Sequence, residues 1–148
     1  MKDLPADLRD VYFEFGCAAK TAQLLEVAAS NHALAFVSLA FDGSNATNEQ
    51  RELFQAVVDD ANKRTFGNLL KHIRNIGEVS DGIEKIITDA LEKKNYLIHK
   101  FFRTHNFAIN SAEWRKTMRA EIAEVHSALS LAHTVLSGMT HTLCWLLR

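Results

Sequence analysis

A formal charge of −1 over 148 residues excludes the global basic field typical of proteins that coat nucleic acid, so any such binding must come from a local patch. Hydrophobic residues at 47% against 24% charged exclude a disordered chain, and residues 1–148 are read as one domain able to bury a substantial core. A single proline and six glycines among many Ala, Leu and Glu favour helix over strand throughout.

Two cysteines, Cys17 and Cys144, form neither a disulfide framework nor a CxxC motif, and they read as small buried hydrophobes in a reducing compartment. The first residues lack the apolar run of a secretion signal, and no window approaches the roughly 18 apolar residues of a membrane span. The expected location is the cytoplasm.

Turn-forming residues concentrate at Asp42–Thr47, Asn75–Gly82 and Thr104–Ser111, and divide the chain into four helical pieces. The first piece runs over residues 5–41, with Leu8, Val11, Tyr12, Phe15, Ala18, Ala19, Ala22, Leu25, Ala29, Ala33, Phe36 and Ala40 recurring at three and four. Pro5 suits its first turn. The second covers 47–74, with Leu53, Val57, Ala61, Leu69, Leu70 and Ile73 inward, and Thr47 with Gln50 as a capping box. Gly67 weakens the case for a straight rod there. The third spans 81–104. The fourth spans 111–147, capped by Ser111, with a stripe of Trp114, Met118, Ile122, Val125, Leu129, Ala132, Leu136, Met139, Leu143 and Leu146. Short connections set neighbouring helices antiparallel, so the expected fold is an all-α, antiparallel up-down four-helix bundle.

The third piece carries an anomaly. Ile83, Ile87, Ala90, Leu91, Leu97, Ile98 and Phe101 share one stripe, and Lys94 falls near its centre. An ammonium there is costly unless it is paired or opened to water. Asn95 and His99, four apart, share another face with Thr88, Glu92 and Arg103, which is also what the wet side of an amphipathic helix looks like. Lys94 and His99 diverge by about 140° on an ideal helix, so within one protomer they converge only through a bend or a helix end. The helix is apolar on more than half its circumference, which suggests a second neighbour such as another copy of the chain.

The run Lys94-Asn95-Tyr96-Leu97-Ile98-His99, leading into Phe101 and Phe102, resembles the signature of HEPN domains, all-α proteins of prokaryotic toxin–antitoxin and defence systems. That motif is an Arg, often followed by a polar residue such as Asn, then mostly apolar residues and a His. The likeness covers residues 90–102; the rest agrees in helix number and size. It implies a HEPN-like bundle and a homodimer with a composite site that cleaves RNA without a metal or other cofactor. A nucleotidyltransferase-like antitoxin is the partner it implies.

Under the resemblance, His99 is the general acid or base, its imidazole suited to that role near neutrality. Asn95 orients the phosphate or the ring, and Lys94 stands where the family has Arg. Lysine offers one mobile ammonium where arginine offers a planar fork, so this departure leaves open a non-catalytic relative that keeps the fold and the dimer as an interaction or regulatory module. Lys93, six residues before His99, is an alternative cation.

Lys93, Lys100, Arg103, Arg115 and Arg119 are the candidate RNA-binding residues, with Lys94 and Lys116 beside them; antiparallel packing would gather them at one end. Tyr96, Phe101 and Phe102 offer stacking surfaces for bases, or else belong to the core. No metal site is expected. His32, His126, His133 and His141 match no Glu-x-x-His pair or His-Glu-x-x-His run, and nucleotide-binding loops are missing too.

Overall fold

The computed structural model describes residues 4–40, 45–63, 67, 71, 74 and 79–146. Among these residues all regular structure is helical. The elements are α1 (Ala6–Ala40), α2 (Asn48–Lys63), α3 (Asp81–His99), α4 (Phe101–Thr104), a 3-10 turn at Ala108–Asn110, and α5 (Ala112–Leu146). The expected inward positions Leu69, Leu70 and Ile73, and the side chains of Ala40 and Ala61, lie outside the described residues.

Local chemistry sets several ends. Thr47 and Gln50 form a reciprocal capping box: the Thr47 N–H donates to Gln50 Oε1 at 2.9 Å, and the Gln50 N–H donates to Thr47 Oγ1 at 3.2 Å. The Pro5 carbonyl accepts from the amides of Leu8 and Arg9 at the start of α1. Ser111, in extended backbone, accepts from the Arg115 amide and opens α5. The third helix is shorter than its periodicity predicts. Lys100, with φ −124° and ψ −29°, separates α3 from α4.

The two 35-residue helices α1 and α5, each about 52 Å long, form the spine of the molecule. Fully or nearly buried positions on α5 are Arg115, Met118, Ile122, Val125, Leu129, Ala132 and Leu136, a strict alternation of three and four. On α1, Val11, Ala18, Ala22, Leu25, Ala29 and His32 fit the same alternation. This is the spacing of a coiled-coil seam, and alanines on one side permit close approach.

Polar rungs along the seam establish its direction. Asp7 meets Arg115, Glu14 meets Arg119, Thr21 meets His126 and His32 meets Thr140, with partners 105 to 108 positions apart at every rung. The helices therefore run parallel. An up-down four-helix order would set its first and last helices antiparallel, and that arrangement is not the one found. The physical reason is where α3 enters. Lys94 pairs with Glu26 while Phe102 packs on Tyr12 and Phe15, so α3 and α4 descend antiparallel to α1. They also descend antiparallel to α5, since Lys93 meets Glu124 and Tyr96 meets Glu121. The chain has thus returned to the end where α1 finishes before α3 begins, and α5 then repeats the direction of α1.

Ile87, Ala90, Leu97 and Phe101 close the core from the α3–α4 side, and Val57 contributes from α2. Five residues expected on inward stripes are exposed instead: Tyr12, whose ring still packs on Phe102, and Leu53, Ile98, Trp114 and Leu146. At the head of α5 the inward position goes to Arg115, one residue beyond Trp114, because its guanidinium reaches both Asp7 and the Ile109 carbonyl. Leu146 lies in the last turn, and Ile98 and Leu53 sit at the edge of their stripes.

Candidate functional site

The third helix resolves the Lys94 anomaly by pairing. Its stripe faces α1, and Lys94 Nζ lies 2.5 Å from Glu26 Oε1, with the two side chains 14% and 30% exposed. A cation on the core face is tolerable here because a carboxylate from the facing helix meets it. Asn95 and His99 point the other way, both exposed, with no hydrogen-bond partner among the described residues. The structure therefore brings Asn95 and His99 onto one face and does not bring Lys94 to them within one chain.

The other candidate cations fall into two groups. Lys93 donates to Glu124 at 2.5 Å; that bond raises the lysine above its usual range and holds Glu124 below the usual carboxylate range. Arg119 lies 2.6 Å from Glu14 and 3.2 Å from Asp10, and the Glu14 bond raises its pKa further. Arg115 is buried; its Nε donates to Asp7 at 2.7 Å, which lowers the Asp7 pKa, and its Nη1 donates to the Ile109 carbonyl at 2.9 Å. Lys100, Arg103 and Lys116 are exposed and have no ion-pair partner among the described residues. The expected basic cluster does collect at one end, but the parallel course of α1 delivers Asp7, Asp10 and Glu14 to that same end. Those acids occupy Arg115 and Arg119, and Glu124 of α5 occupies Lys93, so none of the three is available to a phosphate without breaking its pair.

The expected stacking aromatics are likewise core. Phe101 is fully buried, with ring contacts to Phe15, Tyr96, Phe102 and His105 at 4.8 to 6.1 Å. Phe102 packs against Phe15 at 4.7 Å. Neither ring is placed to receive a base.

Sequence reasoning missed a polar hub beside these rings. Glu121 of α5 accepts from the Tyr96 hydroxyl at 2.8 Å through one oxygen, while its other oxygen lies 2.5 Å from His105 Nε2. Burial first, and then the Glu121 bond and charge, push the Tyr96 phenol up to about 12. His105 caps the end of α4 and packs against Phe101 with its ring tilted, so the hub ties α3, the connection and α5 together. The only signal in the sequence was the isolated Tyr, His and Glu themselves. Their meeting depends on the antiparallel register of α3 against α5.

Two clefts flank the same side of α3. One of about 300 Å³ is lined by Asp89, Glu92, Lys93, Tyr96, Glu121 and Glu124. The other, about 460 Å³, is lined chiefly by Arg74, Asp81, Glu84, Lys85, Asp89 and Glu92. Carboxylates dominate both walls, which disfavours a polyanion inside them, and neither cleft includes Asn95 or His99.

Among the described residues no group of three or more His, Cys, Asp or Glu side chains is placed to hold a metal ion. No described helix is long and apolar enough to cross a membrane. Comparison of the chain with protein-family models, with curated proteins and with solved structures found no match in any of the three.

Proposed function

We propose that this chain is a HEPN-like, RNA-acting helical protein whose working face is the exposed side of α3 around His99, functioning as a homodimer with a composite site. One observation carries the reading. Asn95 and His99 stand one turn apart and open to solvent, and among the described residues neither they nor Lys100 and Arg103, next to them in the chain, have a hydrogen-bond or ion-pair partner, while most other candidate cations are neutralised. A face meant only to be wet has no need of an uncommitted imidazole beside unpaired positive charge.

The chemistry follows from those groups. The His99 imidazole takes the proton of a ribose 2′-OH as that oxygen attacks the adjacent phosphorus. The 5′-oxygen leaves with a proton, and the products are a 2′,3′-cyclic phosphate and a free 5′-hydroxyl. In a dimer one His99 acts as base and the other as acid, and Asn95 holds the phosphate or the ring. A nucleotidyltransferase-like antitoxin encoded beside the gene belongs to the same reading.

A second reading, a non-catalytic HEPN-like dimer serving as an interaction or regulatory module, is favoured by a different observation. The motif cation Lys94 is bound to Glu26 inside the chain, and Phe13, Phe107 and Trp114 are exposed at the end where α1 and α5 begin. One experiment separates the two: purified protein is incubated with total RNA in EDTA and the new ends are mapped. The ribonuclease reading expects cyclic-phosphate ends that disappear in His99→Ala while its helical circular dichroism is unchanged. Cleavage that persists in that variant refutes the role of His99, and no cleavage by the parent protein at high concentration leaves the module.

A further inference from the structure

We infer that the phosphate-binding cation of the His99 face is Arg103, and not Lys94; the inference rests on the RNA-acting reading above. The motif places its cation five residues before the histidine, where α3 turns it toward α1. Lys94 is 14% exposed and held at 2.5 Å by Glu26. Its azimuth is a property of the helix, so breaking that ion pair would not swing the ammonium through the ~140° that separates it from His99.

On the other side of the histidine the geometry is favourable. Asn95, His99 and Arg103 follow one another at four-residue spacing, and all three are exposed. Lys100, with φ −124° and ψ −29°, interrupts the helix between His99 and Arg103. Its amide still bonds the Tyr96 carbonyl at 2.8 Å and its carbonyl accepts from the Thr104 amide at 2.9 Å, so a hydrogen-bonded turn stands on either side of the break and the chain keeps running in the same sense. Phe101 and Phe102 turn inward against Tyr96, Phe15 and Tyr12 and thereby pin the short α4. Arg103 is left on the solvent side, with no carboxylate partner among the described residues. The face thus carries an amide, an imidazole and a guanidinium in sequence.

The guanidinium restores what the motif lacks. Lysine at position 94 supplies a point charge, whereas Arg103 supplies a planar fork that grips two phosphate oxygens. A single-stranded RNA fits this exposed ridge better than a duplex, because its phosphates can bend onto one helix face while its 2′-hydroxyl approaches the imidazole.

The test is binding of a labelled single-stranded oligoribonucleotide of mixed sequence, in EDTA, followed by fluorescence anisotropy across a salt series. Arg103→Gln should weaken binding about tenfold and lower the salt slope by about the contribution of one phosphate. Arg103→Lys should fall between the two and recover most of the slope. Circular dichroism of both variants should match the parent, because the side chain is exposed. If the parent protein binds and Arg103→Gln binds equally well with the same slope, this assignment is wrong although RNA recognition stands. If the parent protein shows no binding at low salt, the RNA-acting reading itself fails and the assignment falls with it.

Discussion

Lys94 and Glu26 decide whether the motif cation belongs to the core or to a site, and a double-mutant cycle reads that directly. At an effective dielectric near 20, two charges ~4 Å apart attract by about 4 kcal/mol. Desolvation of an ammonium exposed by only 14% cancels much of this, so a net coupling of about 1–2 kcal/mol is expected. The two single variants should be unequal. Glu26→Gln leaves a mostly buried ammonium without its carboxylate and should cost about 2–3 kcal/mol. Lys94→Met removes the charge, keeps the volume and leaves Glu26, 30% exposed, able to rehydrate; it should cost about 1 kcal/mol or less. At this chain length that contrast amounts to a Tm difference of several degrees. Urea unfolding followed at 222 nm measures both variants and the double variant. Equal effects of the two single changes, or a coupling below about 0.5 kcal/mol, would falsify the view that this ion pair fills a structural place between α1 and α3.

Phe101→Ala should lose about 3–4 kcal/mol, because the ring is fully buried among Phe15, Tyr96, Phe102 and His105; chemical denaturation checks it, and a loss under 1 kcal/mol contradicts the packing. His32 is buried at the α1–α5 seam, and burial lowers its pKa below 6.5. The unfolded chain therefore takes up the proton first: the stability tied to neutral His32 is complete above pH 6.5 and is lost as pH falls through the lowered folded value. Comparing His32→Gln with the parent chain across that window should show a flatter stability profile for the variant. Tyr96 behaves with the opposite sign, since its raised pKa keeps the phenol protonated in the fold, and the associated stability is lost as pH rises from 10 through about 12. With only two tyrosines in the chain, absorbance at 295 nm should report one ionisation near 12, moved down in Glu121→Gln.

Much of this fold was legible because the periodicity of α5 is so regular. Its buried hydrophobic residues Met118, Ile122, Val125, Leu129, Ala132 and Leu136 were all on the predicted stripe, buried Arg115 being the exception, and the Thr47–Gln50 box marked the start of α2. Periodicity identifies the face a helix buries, but it says nothing about the direction of the helix that covers it. Val11, Ala18, Ala22, Leu25 and Ala29 would form the same stripe against a neighbour of either polarity. The parallel pairing of α1 with α5 therefore lay beyond the pattern, and so did everything that depends on it.

The electrostatics of the candidate site show how far that one ambiguity reaches. In an up-down order Asp7, Asp10 and Glu14 would lie at the end of the molecule opposite Arg115 and Arg119, and the basic residues would stand free as an RNA platform. With α1 parallel to α5, the acidic spacing of three and four on one helix meets the basic spacing of four on the other, and the charges cancel across the seam. Charge pairing of this kind also explains why a nearly neutral chain can contain a dense basic segment without presenting a basic surface. What escapes cancellation is decided by the descending helix. Its inner face is consumed by α1 and α5 through Lys94 and Lys93, so Asn95 and His99, and Arg103 just beyond the helix end, are left exposed and without a partner among the described residues.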